Sequence, residues 1–330
     1  MEAELVQREA IPFEAIPAAG VHGVGFKSLP GNLLRLGRGL SKSRRILRQF
    51  QPDVLFFTGG YVAAPMALAA RLPGLKQRPR SLVYCPDIEP GWALQALLRM
   101  ADHAALTVAE SRAYLPARLP STVTGYPLRQ EVKRWERLAA CRELGLELDL
   151  PVFLVMGGSK GARSINQALF AALPSLLESM QVVHITGQLT WPEAEQARQG
   201  LPLGLAPRYH AFPYLHAHMG AALAAAHLAL SRAGASSLGE FPYFSLPAIL
   251  VPYPHAWRYQ RVNAEYLVQR GAAQMLLDGD LSARLLPVVQ ALMDNPSQRQ
   301  VMAQAMQSLA QPQAAQNIAA VLRSLAADRN

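Results

Sequence analysis

Short apolar runs alternate with helical patterns along most of the chain. The runs span three to five residues, are rich in Val, Leu, Ile and Phe, and several are bounded by Gly or Pro, as in buried strands. They lie at 54–57, 81–84, 104–108, 152–155, 182–185, 228–230 and 248–251. Strands that alternate with helices predict α/β architecture: parallel sheets with helices on both faces.

The length of 330 residues predicts two domains. A polar, charged stretch at 129–147 separates two series of apolar runs, and we interpret it as a linker. The predicted domains are therefore 1–135 and 145–310. A final helical stretch within 311–330 follows them, and we expect it to pack back on the first domain.

Composition narrows the range of partners. Hydrophobic residues make up 51% of the chain, and the net charge is +9. Such an excess suits nucleotide phosphates, acidic lipid headgroups or nucleic acid, and nucleic acid ranks last because no interleaved aromatic and basic motif occurs. Cys85 and Cys141 lie far apart without metal-ligand spacing, which fits a reducing compartment. No apolar run is long enough to predict a membrane-spanning helix.

One glycine-rich turn, SRAGASSLGE at 231–240, leads from an apolar run into a helical pattern. With Ser236 and Ser237 as helix caps, free backbone N–H groups would surround one point and attract an anion such as a diphosphate. Glu240, one turn into the helix, could accept hydrogen bonds from ribose hydroxyls. An ordinary capped connection between strand and helix is the alternative interpretation.

A second turn, GGSKGAR at 157–163, has the same arrangement after the run at 152–155. Its glycines let the backbone approach a ligand closely, Ser159 offers a hydroxyl, and Lys160 and Arg163 add positive charge. Ligands of open parallel sheets bind at the carboxyl ends of the strands, where both turns lie. Two such turns at one crevice favour a nucleotide.

Other loops after predicted strands carry further polar groups. The loop at 58–65 contains the Gly59–Gly60 pair, and the loop at 85–91 contains Asp87 and Glu89. Acidic residues at the carboxyl end of a strand are common catalytic groups, although a solvated turn stabilised by Asp87 is an equal alternative.

The loop and helix at 251–264 contain His255, Gln260 and Asn263, which can bind sugar hydroxyls without bringing charge. His255 as a plain loop histidine is the other interpretation.

The segment 33–50 is basic and amphipathic. Its basic residues are Arg35, Arg38, Lys42, Arg44, Arg45 and Arg48, interspersed with leucines. Such a helix lies on an anionic bilayer or is an ordinary surface helix with its leucines in the core, and the two interpretations are compatible in part.

Five motifs of the chain, in this order, resemble the MurG family: GGYVAAP, TGYPLR, MGGSKGARSIN, SRAGASSLGE and PYPHAWRYQRVNAEYL. The resemblance implies the GT-B fold, with two Rossmann-like domains and an active site in the cleft between them. It implies an inverting hexosyltransferase without cofactor or bound metal. GlcNAc would pass from UDP-GlcNAc to undecaprenyl-pyrophosphoryl-MurNAc-pentapeptide, converting lipid I to lipid II. The protein would then be peripheral to the cytoplasmic face of the cell membrane and serve peptidoglycan synthesis, cell shape and cell division.

The resemblance also implies roles for single residues. Ser159 lies in the loop that faces the donor, Glu240 matches the acidic residue on the donor ribose, and the backbone of Ala235 and Ser236 matches the diphosphate contacts. The remaining predicted substrate-binding residues are Arg129, which follows the TGYP motif, Gly60, His255, Gln260 and Asn263.

The chain departs from the family pattern in three places. The family begins with a strand and a GGTGGH-type loop, whose histidine is one proposed base. Met1–Val6 resembles an internal helix instead, so we expect about one βαβ unit, roughly 30 residues or more, to be absent. The family's HEQN motif reads YCPD at 84–87, and the first of its two sugar-contacting glutamines is Tyr259. Asp87 and Glu89 are then the candidate catalytic residues, and we expect the chain as written to transfer GlcNAc poorly.

Three other functions compete with this interpretation. A GT-B transferase acting on another lipid, such as diacylglycerol, would share the donor motifs. An isomerase of the UDP-GlcNAc 2-epimerase type would share the fold and the donor. A chain that binds the donor without catalysis is the third, because fold alone does not separate these classes.

Overall fold

The structure is a computed structural model that describes residues 6, 10–18, 29–158, 162–255 and 258–328. The chain divides into two compact units. The first contains the described residues up to Cys85, Pro90–Val123 and those from Ile318 onward, and the second contains Pro86–Glu89 and Thr124–Asn317.

The first unit is built on a parallel sheet. Its described strands are β1 (Val54–Phe57), β2 (Arg80–Cys85), β3 (His103–Leu106) and β4 (Ser121–Val123), which pair in that order. Its helices are α1 (Leu29–Phe50), α2 (Ala64–Arg71) and α3 (Trp92–Leu98). Val83 and Leu106 from the sheet and Leu97 from α3 form part of its core.

The second unit has the strand order of a doubly wound fold. Its described strands are β5 (Val152–Met156), β6 (Gln181–Ile185), β7 (Tyr209–Phe212), β8 (Leu228–Ser231), β9 (Ala248–Leu250) and β10 (Ala273–Met275). They pair in the order β10-β9-β8-β5-β6-β7, and all of these pairs are parallel. The chain direction across the sheet reverses between β5 and β8, and ligands of such folds bind outside the carboxyl ends of the strands at this point.

Helices cover the second sheet. They are α4 (Gln130–Lys133), α5 (Arg137–Leu144), α6 (Arg163–Leu177), α7 (Trp191–Gln199), α8 (Met219–Ala225), α9 (Ser237–Tyr243), α10 (Tyr259–Gln269), α11 (Leu281–Met293) and α12 (Pro296–Gln307), and the last described helix of the chain is α13 (Ala314–Ala327). The stretch interpreted as a linker contains α4 and α5, and both pack against α8. The predicted parallel α/β architecture is confirmed, and the strands β4, β7 and β10 add to those that the apolar runs predict.

Candidate functional site

A cavity of about 200 Å³ opens in the second unit at the carboxyl end of its sheet. Loops that follow four neighbouring strands contribute to it, as the strand order requires. Its walls include Gly157 and Gly158 after β5, Gly187 after β6, Pro213, Tyr214, Leu215 and His216 after β7, and Ser236 and Glu240 after β8, together with Arg129. Three predicted substrate-binding residues, Arg129, Ser236 and Glu240, thus meet the Gly157–Gly158 pair at one place.

Ser236 and Glu240 are joined at the start of α9. The Ser236 carbonyl accepts from the N–H groups of Gly239 and Glu240 at 3.0 and 2.8 Å. The Ser236 hydroxyl donates to the carboxyl group of Glu240. The predicted cap position is confirmed for Ser236, which is the N-cap residue of α9, but its side chain makes no capping hydrogen bond. Ser237 is the first residue of the helix instead, and its hydroxyl donates to the Gly234 carbonyl at 2.6 Å.

The backbone donors available to an anion lie just before the helix. The N–H groups of Ser237 and Leu238 already donate to the carbonyls of Gly234 and Ala235 at 3.0 and 3.1 Å. Within the described part of the chain, the N–H groups of Ala235 and Ser236 have no acceptor. A ligand oxygen near this turn would therefore meet these two donors before the first turn of α9.

Burial makes the Glu240 carboxyl easy to protonate. Desolvation raises its pKa to about 7, while the Ser236 hydroxyl and the Arg129 charge act in the opposite direction. The neighbouring Tyr126 phenol has its pKa raised to about 12 by burial and by the charges of Glu240 and Asp87, so it is neutral in the physiological range. Burial thus moves the pKa of Glu240 into the neutral range.

Tyr126 also fixes the position of α9. A Cβ atom on Gly239 would lie 2.6 Å from the Tyr126 Cβ and 2.8 Å from its Cδ1. Real Cβ atoms do not approach so closely, so the close packing requires glycine at position 239. This contact holds the turn that carries Glu240 against the segment 124–129.

A buried polar network supports the wall formed after β6. His184 bonds the Tyr209 hydroxyl through Nδ1 at 2.8 Å and the Asn166 Oδ1 through Nε2 at 3.0 Å. The Asn166 amide donates to the Thr186 carbonyl at 2.8 Å, next to Gly187 of the cavity wall. Burial lowers the His184 pKa to about 3, so the ring is neutral, with the proton on Nε2 facing Asn166.

The amide group of Asn263 is occupied within the protein. Its Nδ2 donates to Asp87 Oδ1 at 2.7 Å and to the Ala233 carbonyl at 3.1 Å, and its Oδ1 accepts from the Ile88 N–H at 3.1 Å. The side chain is fully buried. With both amide hydrogens used, Asn263 is placed to orient the 86–89 loop and the 233–236 turn, and its predicted contact with the sugar stays a prediction.

The two candidate catalytic carboxyl groups have different surroundings. Burial raises the Asp87 pKa, and the hydrogen bond from Asn263 opposes that rise. Glu89 is 8% exposed, and its Oε2 lies 3.3 Å from the Arg258 Nε. Glu89 therefore has a cationic partner, whereas Asp87 is held by a neutral amide.

The other predicted substrate-binding residues are less concentrated. Gln260 accepts from the Tyr253 N–H through Oε1 at 2.9 Å. The exposed His255 ring lies edge-on to the Tyr253 ring at 5.5 Å. Gly60 belongs to the first unit and is exposed, with φ +82°.

Of the two remaining predictions, Ala235 is partly buried in the turn before α9. Ser159 lies outside the described residues.

Sequence patterns missed the wall that follows β7. There, His216 has φ +41°, and its ring centroid lies 4.4 Å from that of Tyr214. Because the apolar runs do not predict β7, nothing placed its loop beside the glycine turns. The one available signal is the pair of aromatic residues, Phe212 and Tyr214, that flank a proline.

Comparison with known proteins identifies the family. Residues 152–318 match the glycosyltransferase family 28 C-terminal domain, and residues 1–76 match its N-terminal domain. A UDP-N-acetylglucosamine--N-acetylmuramyl-(pentapeptide) pyrophosphoryl-undecaprenol N-acetylglucosamine transferase from Roseiflexus sp. (strain RS-1) is 41% identical, over 98% of this chain and 81% of the relative. The crystal structure of Acinetobacter baumannii MurG superimposes with a TM-score of 0.74 at 25% identity, over 98% of this chain and 88% of that one. The chain belongs to the MurG family.

Membership of the MurG family confirms the predicted GT-B fold class and enzyme class. The fold alone would not have decided the matter, since a UDP-GlcNAc 2-epimerase from Neisseria meningitidis reaches a TM-score of 0.65 at 11% identity, over 98% of this chain and 88% of that one. The sequence match favours the transferase over the epimerase and over a diacylglycerol transferase. In the MurG family chain described here, the cavity around Glu240 is the candidate donor site.

Proposed function

We propose that this protein transfers GlcNAc from UDP-GlcNAc to undecaprenyl-pyrophosphoryl-MurNAc-pentapeptide, forming lipid II. The family match supports the reaction class, and the cavity lined by Arg129, Ser236 and Glu240 supports the location of the donor. The observation that carries the proposal is this convergence of Glu240 with the Gly157–Gly158 turn at the switch point of the second sheet.

The chain's own groups would bind the donor. In its ionised form, Glu240 accepts hydrogen bonds from the ribose hydroxyls, and the N–H groups of Ala235 and Ser236 donate to the diphosphate. Arg129 adds a positive charge at the cavity wall. These donors stabilise the negative charge that grows on UDP as it leaves, which lowers the barrier electrostatically.

The transfer itself is a direct displacement. The acceptor 4-hydroxyl attacks C1 of GlcNAc, the bond from C1 to the UDP oxygen breaks, and the hydroxyl proton passes to a base. We assign the base to Asp87, because burial already favours proton uptake there and Asn263 orients its carboxyl group. Glu89 is the weaker candidate because Arg258 pairs with it.

A lipid-linked acceptor calls for contact with a membrane surface, and α1 supports a peripheral one. Among the described residues, no helix combines the length and apolarity needed to cross a bilayer. In α1, the residues Leu34, Arg38, Arg45 and Arg48 are spaced along one exposed face, whereas Leu47 is buried. A buried leucine and an exposed basic face can occur on the same helix. The exposed basic face favours an anionic surface such as the cytoplasmic face of the cell membrane over nucleic acid.

Transfer of labelled GlcNAc to a lipid I analogue tests the proposal. The full chain should form a lipid II product, slowly as its departures from the family pattern predict, and leave diacylglycerol unmodified. Glu240→Ala should weaken UDP-GlcNAc binding by about 1.5–3 kcal/mol, the range for a hydrogen bond to a charged group. Glu195→Ala removes an exposed carboxylate from the same unit and serves as the matched control.

Each alternative gives a different result. Transfer to diacylglycerol alone would identify another lipid transferase, and release of epimerised sugar would identify an isomerase. Donor binding without transfer under saturating acceptor would identify a non-catalytic chain. Equal affinity in Glu240→Ala and the parent would exclude Glu240 as the ribose ligand.

A further inference from the structure

Arg232, which directly follows β8, lies at the centre of a partly buried polar cluster in the second unit. Its Nη1 lies 2.5 Å from Asp278 Oδ1 and its Nη2 donates to the Ser164 hydroxyl at 2.7 Å. The Ser164 hydroxyl in turn donates to the same Asp278 oxygen at 2.7 Å. The three side chains therefore form a closed triangle of hydrogen bonds.

The triangle and a further contact of Arg232 connect loops that leave four different strands. Ser164 lies in the first turn of α6 after β5, and Asp278 follows β10. Nη1 of Arg232 also reaches the Val251 carbonyl after β9 at 3.2 Å. The guanidinium lies over the Tyr253 ring, 5.2 Å from its centroid. One side chain thus links the carboxyl-end loops of β5, β8, β9 and β10.

Two members of the cluster lie close to cavity residues along the chain. Ser164 lies six residues after Gly158, and Arg232 lies four residues before Ser236; Gly158 and Ser236 both line the cavity. The side chain of Arg232 is 10% exposed and that of Asp278 is 25% exposed, so solvent screens their attraction only in part.

The planar guanidinium makes these contacts with two separate nitrogens. Nη1 serves Asp278 and Val251, and Nη2 serves Ser164. A lysine ammonium at this position would keep the charge but not the fixed fork that spans the three partners.

We propose that Arg232 is a positioning residue for the donor site: through Ser164 and Asp278 it holds the turns after β5 and β8 at the spacing that UDP-GlcNAc requires. The inference rests on the proposed function only for the identity of the ligand. In the parent chain, folding has already ordered these turns. Without Arg232, donor binding would have to order them, and the lost conformational entropy would weaken that binding. Loss of the cluster should therefore raise the KM for UDP-GlcNAc more than it lowers kcat.

Steady-state transfer with full-length variants tests this. Arg232→Lys should raise the KM for UDP-GlcNAc about tenfold or more while kcat stays within about threefold, the pattern of lost donor binding. Ser164→Ala removes the hydroxyl that accepts from Arg232 and donates to Asp278 but keeps both charges, and it should change KM in the same direction by a smaller factor. It also keeps the test open if Arg232→Lys folds poorly.

The matched control is Arg208→Lys. Arg208 is also partly buried in the second unit, but it donates to the Leu177 and Glu178 carbonyls, at the opposite end of the sheet from the cavity. This variant should leave KM unchanged. Unchanged KM in both Arg232→Lys and Ser164→Ala, or an equal rise in Arg208→Lys, would overturn the positioning role.

Hydrogen exchange separates this inference from the proposed function, because it needs no substrate. In Arg232→Lys, amide exchange should accelerate together in 162–166, 233–236 and 276–280, but not in Arg208→Lys. If the parent chain transfers no GlcNAc but amide exchange accelerates together in these segments of Arg232→Lys, the proposed function fails and the cluster's role in holding the turns stands. Exchange unchanged in all three segments would refute that role whatever the activity.

Discussion

The side-chain amide of Asn263 donates a hydrogen bond of 2.7 Å to Oδ1 of Asp87, a residue 176 positions away in sequence. The oxygen of the same amide accepts from the N–H of Ile88, the residue that follows Asp87. Asn263 therefore fixes both the carboxyl group and the backbone of the 86–89 loop. Because the amide donates to the carboxylate, it stabilises the ionised form of a group that burial pushes toward protonation.

Asp87→Asn tests the assignment of the base. It should lower kcat by roughly 10²–10⁴, the usual contribution of a general base, with little change in the KM for UDP-GlcNAc. Asp149→Asn changes an exposed carboxylate of the same unit and should leave both constants as in the parent. A kcat for Asp87→Asn close to that of the parent would move the role to another group.

Asn263→Ala should shift the pH profile of transfer. The rate falls as pH drops through the pKa of Asp87, since only the carboxylate takes the proton. The Asn263 hydrogen bond lowers that pKa, so its removal should move the acidic limb of the profile to higher pH. Initial rates at saturating donor and acceptor measure the limb, and a limb that stays in place would show that it reports another group.

Glu240 should make donor binding depend on pH. Its pKa is raised to about 7, and ribose hydroxyls donate to the ionised form, so UDP-GlcNAc affinity should fall as the pH drops below about 7. Binding near pH 6.5 should release a proton, which calorimetry in buffers of different ionisation enthalpy detects. The diphosphate of UDP-GlcNAc has no group that titrates in this range, unlike that of free UDP.

Glu240→Gln is the control for this pH dependence. The amide cannot ionise, so the variant should bind the donor more weakly and with an affinity that stays level between pH 6 and 8, roughly the range set by the raised pKa. The same pH dependence in the variant and the parent would trace it to a group other than Glu240.

Gly239→Ala should destabilise the second unit. The new methyl group would lie 2.6 Å from the Tyr126 Cβ. The Tyr126 Cβ is attached directly to the backbone, so a change of rotamer cannot move it away. Overpacking of this kind costs about 1–3 kcal/mol of unfolding free energy. Gly204→Ala is matched, because a Cβ there meets nothing within 4 Å. Denaturant unfolding compares the two, and equal midpoints would mean that Tyr126 is free to move.

Charge reversal on α1 should weaken membrane binding. The double variant Arg38→Glu and Arg48→Glu changes two exposed residues of one helix face, where each basic residue near an anionic surface contributes about 1 kcal/mol. Arg112→Glu with Arg118→Glu makes the same change in net charge elsewhere in the first unit. Co-sedimentation with anionic liposomes should drop only for the α1 variant and weaken with salt. An equal drop in both would indicate net charge rather than a binding face.

The sequence alone determined the central strands and the turns that follow them. The strands β5 and β8 are buried at every position, so each carries a continuous apolar run, which in β8 stops before the last residue, Ser231. The pairing of Ser236 with Glu240 was also within reach, because residues four apart meet on a helical turn. Local chemistry thus encoded the glycine turns, the helix after each and the acidic residue of the donor cavity.

The tertiary structure decided which strands form the edges and which distant residues meet. The strands β4, β7 and β10 each lie at an edge of a described sheet and are only partly buried, so their sequences carry no continuous apolar signal. The contacts of Arg232 with Ser164 and of Asn263 with Asp87 join segments far apart in the chain. A periodic pattern records which face of an element is buried, whereas such pairs depend on the order in which strands assemble into the sheet, and that order is set only when the whole unit packs.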